Sequence, residues 1–244
     1  MFKITIAECE TFKKQIKVIS DLISEGKIKV NKDSFGLIAM DSANVAMVDY
    51  EVFSSSCTEY SVDNEDEFAI NLNNLYQALK TASANAIISL SKEKNKLIVE
   101  IKAETDRTFK LPIIDYNEKD AKKPQLKHTC KIIIDSNLFK KEVEASDIVA
   151  ESVFFITKED KFTMKAEGDI SEVKADFKDI EVKAENKSEI KSKYSIEYLK
   201  KIMEASAFCD KVEINYAKDY PVQFAFNQVD KFKMLFTLAP RVGD

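Results

Sequence analysis

Glu10-Thr11-Phe12-Lys13-Lys14-Gln15-Ile16-Lys17-Val18-Ile19-Ser20-Asp21-Leu22-Ile23 is the stretch on which the fold turns. Phe12, Ile16, Ile19 and Ile23 recur at intervals of four, three and four residues, which lines them along one face of a helix. Lys13, Lys14 and Lys17 fall about 100 to 200 degrees away from that stripe. The opening Phe-Lys-Lys returns as Phe139-Lys140-Lys141, and Asp33-Ser34-Phe35 with Ala39 returns as Asp160-Lys161-Phe162 with Ala166, both at an offset of 127. Leu75, Leu79, Ala82 and Ser83 return as Tyr198, Ile202, Ala205 and Ser206 at an offset of 123. Both offsets are close to half of the 244 residues, so the chain reads as a duplicated unit.

Three further segments carry helical spacing: 72 to 82, with Leu72, Leu75, Leu79 and Ala82; 136 to 146, with Phe139 and Val143; and 195 to 206, with Tyr198, Ile202 and Ala205. All four predicted helices are about three turns long. Between them lie alternating or β-branched runs, including Val45 to Val52, Ala86 to Leu90, Leu97 to Ile101, Ser152 to Thr157, Phe162 to Ala166, Val222 to Phe226 and Phe232 to Leu238. Helices separated by several strands disfavour βαβ crossovers and predict an α+β fold with antiparallel sheets. The aperiodic Lys/Asp-rich stretch 115 to 128, containing Pro124, reads as a connector between domains at 1–114 and 129–244.

The composition, 45% apolar and 32% charged, suits a soluble folded protein. Four scattered glycines (Gly26, Gly36, Gly168, Gly243) write no phosphate-cradling loop. A lone histidine, His128, cannot build a multi-histidine metal site and reads as a solvated side chain, while Cys9, Cys57, Cys130 and Cys209 form no CxxC pair and read as reduced, buried thiols. No metal, cofactor or catalytic group is expected. Carboxylates such as Asp41, Asp49, Asp169 and Asp179 are the material for a rival, enzymatic reading, but among 42 acids chance pairs are common. No run approaches a membrane span and no signal peptide precedes Phe2.

Acids outnumber bases 42 to 37 for a net charge of −5, yet lysines sit away from the core on every predicted helix: Lys13, Lys14 and Lys17, then Lys80, then Lys140 and Lys141, then Lys200. The second helix has no acid at all. Only two arginines, Arg107 and Arg241, are present, and sequence-specific base readout leans on arginine forks. Lysine point charges suit salt-sensitive phosphate binding without base selection, beneath an outer surface expected to be acidic.

Several runs resemble the proliferating cell nuclear antigen type of DNA sliding clamp, archaeal ones in particular. They are Leu37-Ile38-Ala39-Met40-Asp41-Ser42-Ala43-Asn44-Val45-Ala46-Met47-Val48, Phe109-Lys110-Leu111-Pro112, Ala166-Glu167-Gly168-Asp169 and Leu238-Ala239-Pro240-Arg241-Val242. The resemblance implies duplicated clamp domains in a toroidal trimer, with four short helices per chain on the inner face, sheets outside and the helix lysines facing a threaded duplex. It implies no enzymatic activity, and partners that are double-stranded DNA, DNA polymerase, a clamp loader, flap endonuclease and DNA ligase, the enzymes docking through short peptide motifs. The positions matching the peptide pocket are Met40, Val45, Ala121, Pro124, Leu126, Pro221, Leu238, Ala239 and Pro240. The subunit joint would run edge to edge, from Arg107, Phe109 and Leu111 on one chain to Val173, Ala175 and Phe177 on the next. Lys119, Lys122 and Lys123 in the connector, and Thr81-Ala82-Ser83 where relatives carry basic interface residues, depart from the family pattern. The implied location is on the chromosome, cytoplasmic in an archaeon and nuclear in a eukaryote. The alternative is a subunit of a hetero-oligomeric clamp with a checkpoint or repair role.

Overall fold

The structure is a computed structural model that describes the chain except for Ala7, 117–122, Asn186 and 242–244. The chain forms two compact units. In the first, the order is β1 (Phe2–Ile6), α1 (Cys9–Ser20), β2 (Glu25–Val30), β3 (Ser34–Met40), β4 (Ala46–Phe53), β5 (Cys57–Val62), β6 (Asp66–Asn71), α2 (Leu72–Leu79), β7 (Ile87–Glu93), β8 (Lys96–Lys102) and β9 (Arg107–Pro112). The second repeats the plan with β10 (Cys130–Asp135), α3 (Ser136–Asp147), β11 (Ser152–Lys158), β12 (Lys161–Glu167), β13 (Glu172–Asp176), β14 (Glu181–Ala184), β15 (Ile190–Ser195), α4 (Ile196–Met203), β16 (Lys211–Tyr216), β17 (Val222–Gln228) and β18 (Phe232–Leu238).

Pairing repeats as well. β1 lies between β5 and β7, and β10 lies between β14 and β16; β2 lies between β3 and β6, and β11 lies between β12 and β15, all antiparallel. The α+β expectation therefore holds, with each unit built from two sheets and a helix pair. In the first unit, residues from both sheets and both helices, among them Phe2, Phe12, Ile16, Phe35, Tyr50, Leu75 and Leu97, surround a void of only about 20 Å³. The apolar face of each helix is what holds it there, since short helices gain most of their stability from packing.

The ring pair Phe12–Phe35, 6.1 Å between centroids, has its duplicate in Phe139–Phe162 at 6.4 Å, so the 127-residue offset marks equivalent positions. The second offset slips by one. The buried face of α2 is Leu72, Leu75, Ala78 and Leu79, and that of α4 is Ile196, Leu199, Ile202 and Met203, an offset of 124. Tyr198 is half-buried and lies off this stripe; its ring mimicked a core position in the spacing. Asn71 and Asp135 cap α2 and α3 by accepting from the N–H of Asn74 at 2.9 Å and Leu138 at 2.8 Å.

Two close approaches need glycine. A Cβ on Gly36 would lie 1.9 Å from the Tyr50 carbonyl oxygen, and one on Gly168 would lie 2.2 Å from that of Val149. Backbone, not a mobile side chain, blocks both. Gly36→Ala is expected to destabilise the protein by about 3 kcal/mol, read as a fall in the urea midpoint.

Candidate nucleic-acid and partner interfaces

The lysines singled out from the sequence all lie on helices α1 to α4 or, for Lys80, at the C-cap of α2, away from the buried stripes. Their surroundings differ. Lys13 is half-buried; it pairs with Glu10 and donates to the Ala82 carbonyl at 3.1 Å, tying α1 to the end of α2. Lys17 pairs with Asp21 at 2.6 Å and lies 5.7 Å from the centre of the Tyr76 ring. Lys140 reaches Glu204 at 2.9 Å, and Lys200 reaches Asp147 at 2.5 Å. Hydrogen bonding and the charge of Asp147 raise the Lys200 pKa, with Glu144 adding to the effect. Lys14, Lys80 and Lys141 are exposed and make no ion pair among the described residues. The face is therefore less uniformly basic than helical spacing alone implied. Exposed pairs of this kind are worth about 0–1 kcal/mol, so a phosphate can displace the acid at little cost.

Strand edges form the second feature. β9 is one outer strand of the sheet β5-β1-β7-β8-β9, opposite β5, and β13 is one outer strand of β13-β12-β11-β15, opposite β15. Their counterparts in the duplicated plan are β18 and β4, and neither is left bare. The first unit takes in residues 227–234, where the Phe53 N–H donates to the Lys231 carbonyl at 2.9 Å; the second takes in 45–47, where the Ala239 N–H donates to the Val45 carbonyl at 2.9 Å.

The direction of the edge donors follows from the antiparallel alternation. The Ile113 N–H donates to Asn95 and the Phe177 N–H donates to Phe162, so Arg107, Phe109, Leu111, Val173, Ala175 and Phe177 turn their backbone groups toward their own sheets. Thr108, Lys110, Glu172, Lys174 and Asp176 turn theirs outward. Pro112, which has no N–H, falls on the outward parity. Phe177 is further committed to its own unit, its ring stacked 5.2 Å from Phe162 and 6.2 Å from Phe139. Residue types alone carry no signal for this one-residue shift, which needs the register.

Two apolar side chains beside the β13 edge escaped the sequence reading: Ile148 is 86% exposed and Ile170 is 99% exposed. Gly168, two residues before Ile170, lies against the backbone carbonyl of Val149, the residue after Ile148. Ile170, alone among polar residues, was the one sequence signal; Ile148 opens the apolar run Ile148-Val149-Ala150 and reads as core.

Of the positions matched to a peptide pocket, Val45, Pro124, Leu126, Pro221, Ala239 and Pro240 are half-buried members of the second unit, and Met40 is half-buried in the first. Leu238 is fully buried, a core residue of β18 and not a pocket wall. Ala121 lies outside the described residues, as do Lys119 and Lys122; Lys123 pairs with Asp49 at 2.6 Å.

His128 is not simply solvated. Its Nε2 lies 3.0 Å from the Pro221 carbonyl and its ring meets Tyr220 edge-on at 5.9 Å. Burial lowers its pKa below 6.5, outweighing the hydrogen bond to Pro221. A depressed folded pKa means stability is present above pH 6.5 and is lost as pH falls below that value through the folded pKa. An NMR titration is expected to place His128 below 6.5, with Tyr220 shifts following the same curve. Cys9, Cys130 and Cys209 are buried free thiols, whereas Cys57 is only half-buried. Among the described residues no group of His, Cys, Asp and Glu could hold a metal ion, and no helix is long and apolar enough to cross a membrane.

Models of the proliferating cell nuclear antigen N-terminal and C-terminal domains match residues 1–121 and 122–241. The chain is 33% identical to the DNA polymerase sliding clamp of Pyrococcus abyssi and 32% identical to that of Pyrococcus furiosus, in each case over 100% of this chain and 99% of the relative. It superposes on the crystal structure of the proliferating cell nuclear antigen of Thermococcus kodakaraensis with a TM-score of 0.93 at 28% identity, covering 99% of this chain and 100% of that one. With two repeated units, four short helices and family models spanning both halves, the chain belongs to the proliferating cell nuclear antigen family.

Proposed function

We propose that this chain is a DNA sliding clamp: three copies join edge to edge into a ring that encircles duplex DNA and tethers the replicative polymerase. The observation that carries the proposal is that, of the outer strands, β9 and β13 are the two whose duplicated counterparts, β18 and β4, are occupied. An open edge with outward donors invites a strand, and two different edges on one chain form a head-to-tail joint; three is the number of copies that the family resemblance implies. Ile170, in the turn that leads into β13, adds exposed apolar area next to that edge.

Within this reading the domains are 1–114 and 129–244, joined by a connector at 115–128. The helix lysines meet phosphates without base selection, and retention on DNA is set by enclosure more than by binding energy. The chain itself performs no catalytic step. A clamp loader, flap endonuclease and ligase are further partners by resemblance, and the chromosome is the site of action. The test is retention on DNA: the protein, loaded onto a nicked circle, should remain bound at a salt concentration that strips it from a linear duplex with free ends. Equal loss from both would sink the proposal.

Partner peptides are assigned to the half-buried apolar residues near the C-terminus. Ala239→Asp places a charge among them and is expected to weaken a polymerase-derived peptide by about tenfold or more in calorimetry while the ring persists. A second reading, a ring of non-identical subunits, draws on Thr81-Ala82-Ser83, three non-basic residues just after α2 where the resemblance expects basic interface residues. A persistent 27.8 kDa species in light scattering of the pure chain would favour it.

A further inference from the structure

We infer that Lys191 and Lys193, set around the ring of Phe154 on the solvent face of the sheet β13-β12-β11-β15, receive an acidic segment of the proteins whose peptides bind beside Ala239 and Pro240. The inference rests on the peptide assignment made above and adds a specificity to it, a preference for carboxylates flanking the docking motif. Alternation along β15 puts the two lysines there: Ile190, Ser192 and Tyr194 are buried, so Lys191 and Lys193 face the other way. Phe154 of β11 is directly opposite Lys193, and Ile156 is directly opposite Lys191.

One ring holds both charges. The Lys191 Nζ lies 4.1 Å and the Lys193 Nζ 5.3 Å from the centre of Phe154, close enough for each to be attracted by it. Neither forms an ion pair among the described residues, and Glu189, exposed two residues before Lys191, pairs with neither. The rest of the face is already matched: Lys165, also opposite Phe154, reaches Glu167 at 2.5 Å and Glu172 at 3.2 Å, and Lys174 reaches Asp176 at 2.8 Å. Glu167 is held below the usual carboxylate range chiefly by its bond to Lys165, with the charges of Lys191 and Lys193 adding to the effect. Two ammonium groups gathered at one ring repel each other, and a carboxylate brought between them relieves that repulsion.

Position selects the kind of partner. The Arg241 N–H donates to the Lys193 carbonyl at 2.7 Å, and its guanidinium donates to the Ser152 Oγ at 2.8 Å. The tail that carries Ala239 and Pro240 is thereby pinned to β15 at the patch, so a peptide seated on those residues needs only a short extension to reach the lysines. A nucleic-acid strand would gain phosphate contacts alone, because the ring face on which a base would stack carries Lys191.

The test compares, by calorimetry, a polymerase-derived peptide extended at either end by four glutamates with the same peptide extended by four glutamines. At one of the two ends the glutamate form should bind about fivefold tighter at low salt, the size expected of two exposed charge pairs, and the advantage should vanish at about 1 M salt. Lys191→Gln/Lys193→Gln should bring that ratio to about one while the glutamine-extended peptide keeps its affinity, which also shows that the variant is folded. Lys32→Gln/Lys94→Gln, an equal change of net charge in the first unit, should leave the ratio at about fivefold. A wild-type ratio near one at both ends, or a preference that survives in Lys191→Gln/Lys193→Gln, overturns the inference and leaves the peptide pocket standing. Loss of the glutamine-extended peptide from that variant overturns it as well, since the lysines would then support the tail and not an acidic segment. A short single-stranded oligonucleotide that binds the wild type but not the variant, with peptide ratios near one, overturns it in favour of nucleic acid. Failure of the wild type to bind any of the peptides overturns the pocket assignment and this inference with it.

Discussion

Lys174→Pro is expected to convert a particle of about 83 kDa, three chains of 27.8 kDa each, into a 27.8 kDa monomer. Lys174 is the middle residue of β13, paired with Lys165 of β12 at a position where its backbone N–H points away from its own sheet. Proline removes that donor and thrusts its ring toward any strand laid alongside. Inside the unit no hydrogen bond is broken, because proline is tolerated on an edge strand when the missing N–H faces outward. The protein already carries Pro112 in that orientation on β9. Lys174→Ala is the control: it keeps the N–H and removes only an exposed pair with Asp176, at 2.8 Å, worth about 0–1 kcal/mol. Light scattering across a dilution series should therefore report a monomer for the proline variant and a trimer for the alanine variant. A trimer in both would mean that the edge ladder does not form the joint.

Phe139→Ala is expected to cost about 3–5 kcal/mol. Phe139 is fully buried and its ring lies 5.7 to 6.4 Å from those of Phe155, Phe162, Phe177 and Phe224. Those rings come from β11, β12, β17 and the residue just after β13, so one truncation on α3 opens a cavity bordered by both sheets of the unit. Phe12, its duplicate, meets a single ring, that of Phe35, among the described residues, and Phe12→Ala should cost less. Urea melts of the two variants give the comparison; a Phe12→Ala loss equal to or above that of Phe139→Ala would contradict it. Because Phe177 is stacked in the same cluster directly beyond the β13 edge, Phe139→Ala should also weaken assembly.

The helices were legible because their signal is local. Phe12, Ile16, Ile19 and Ile23 are all buried, and the predicted span of 136 to 146 falls within one residue of α3. Strands that alternate cleanly, such as β12 and β18, were equally visible. β5, β13 and β14 were not recognisable from periodicity, since they lie at sheet margins with half-buried or exposed side chains. The one-residue slip in the second repeat offset has the same origin: Tyr198 is apolar in composition yet half-exposed in place, and spacing cannot tell a ring lying along the surface from one in the core.

By itself the sequence determined the duplication, the α+β class, the four helices and the lysines opposite their cores, because each depends on intervals of a few residues that backbone geometry turns directly into faces. Tertiary structure alone decided which lysines remain available. Lys13, Lys140 and Lys200 are held by Ala82, Glu204 and Asp147, partners 69, 64 and 53 residues away in sequence. It also decided which edge residues turn their donors outward, a property of strand register that shifts by a whole residue without altering a single amino acid. Local spacing sets which face a side chain occupies, and only the folding of distant segments against that face sets what the side chain meets.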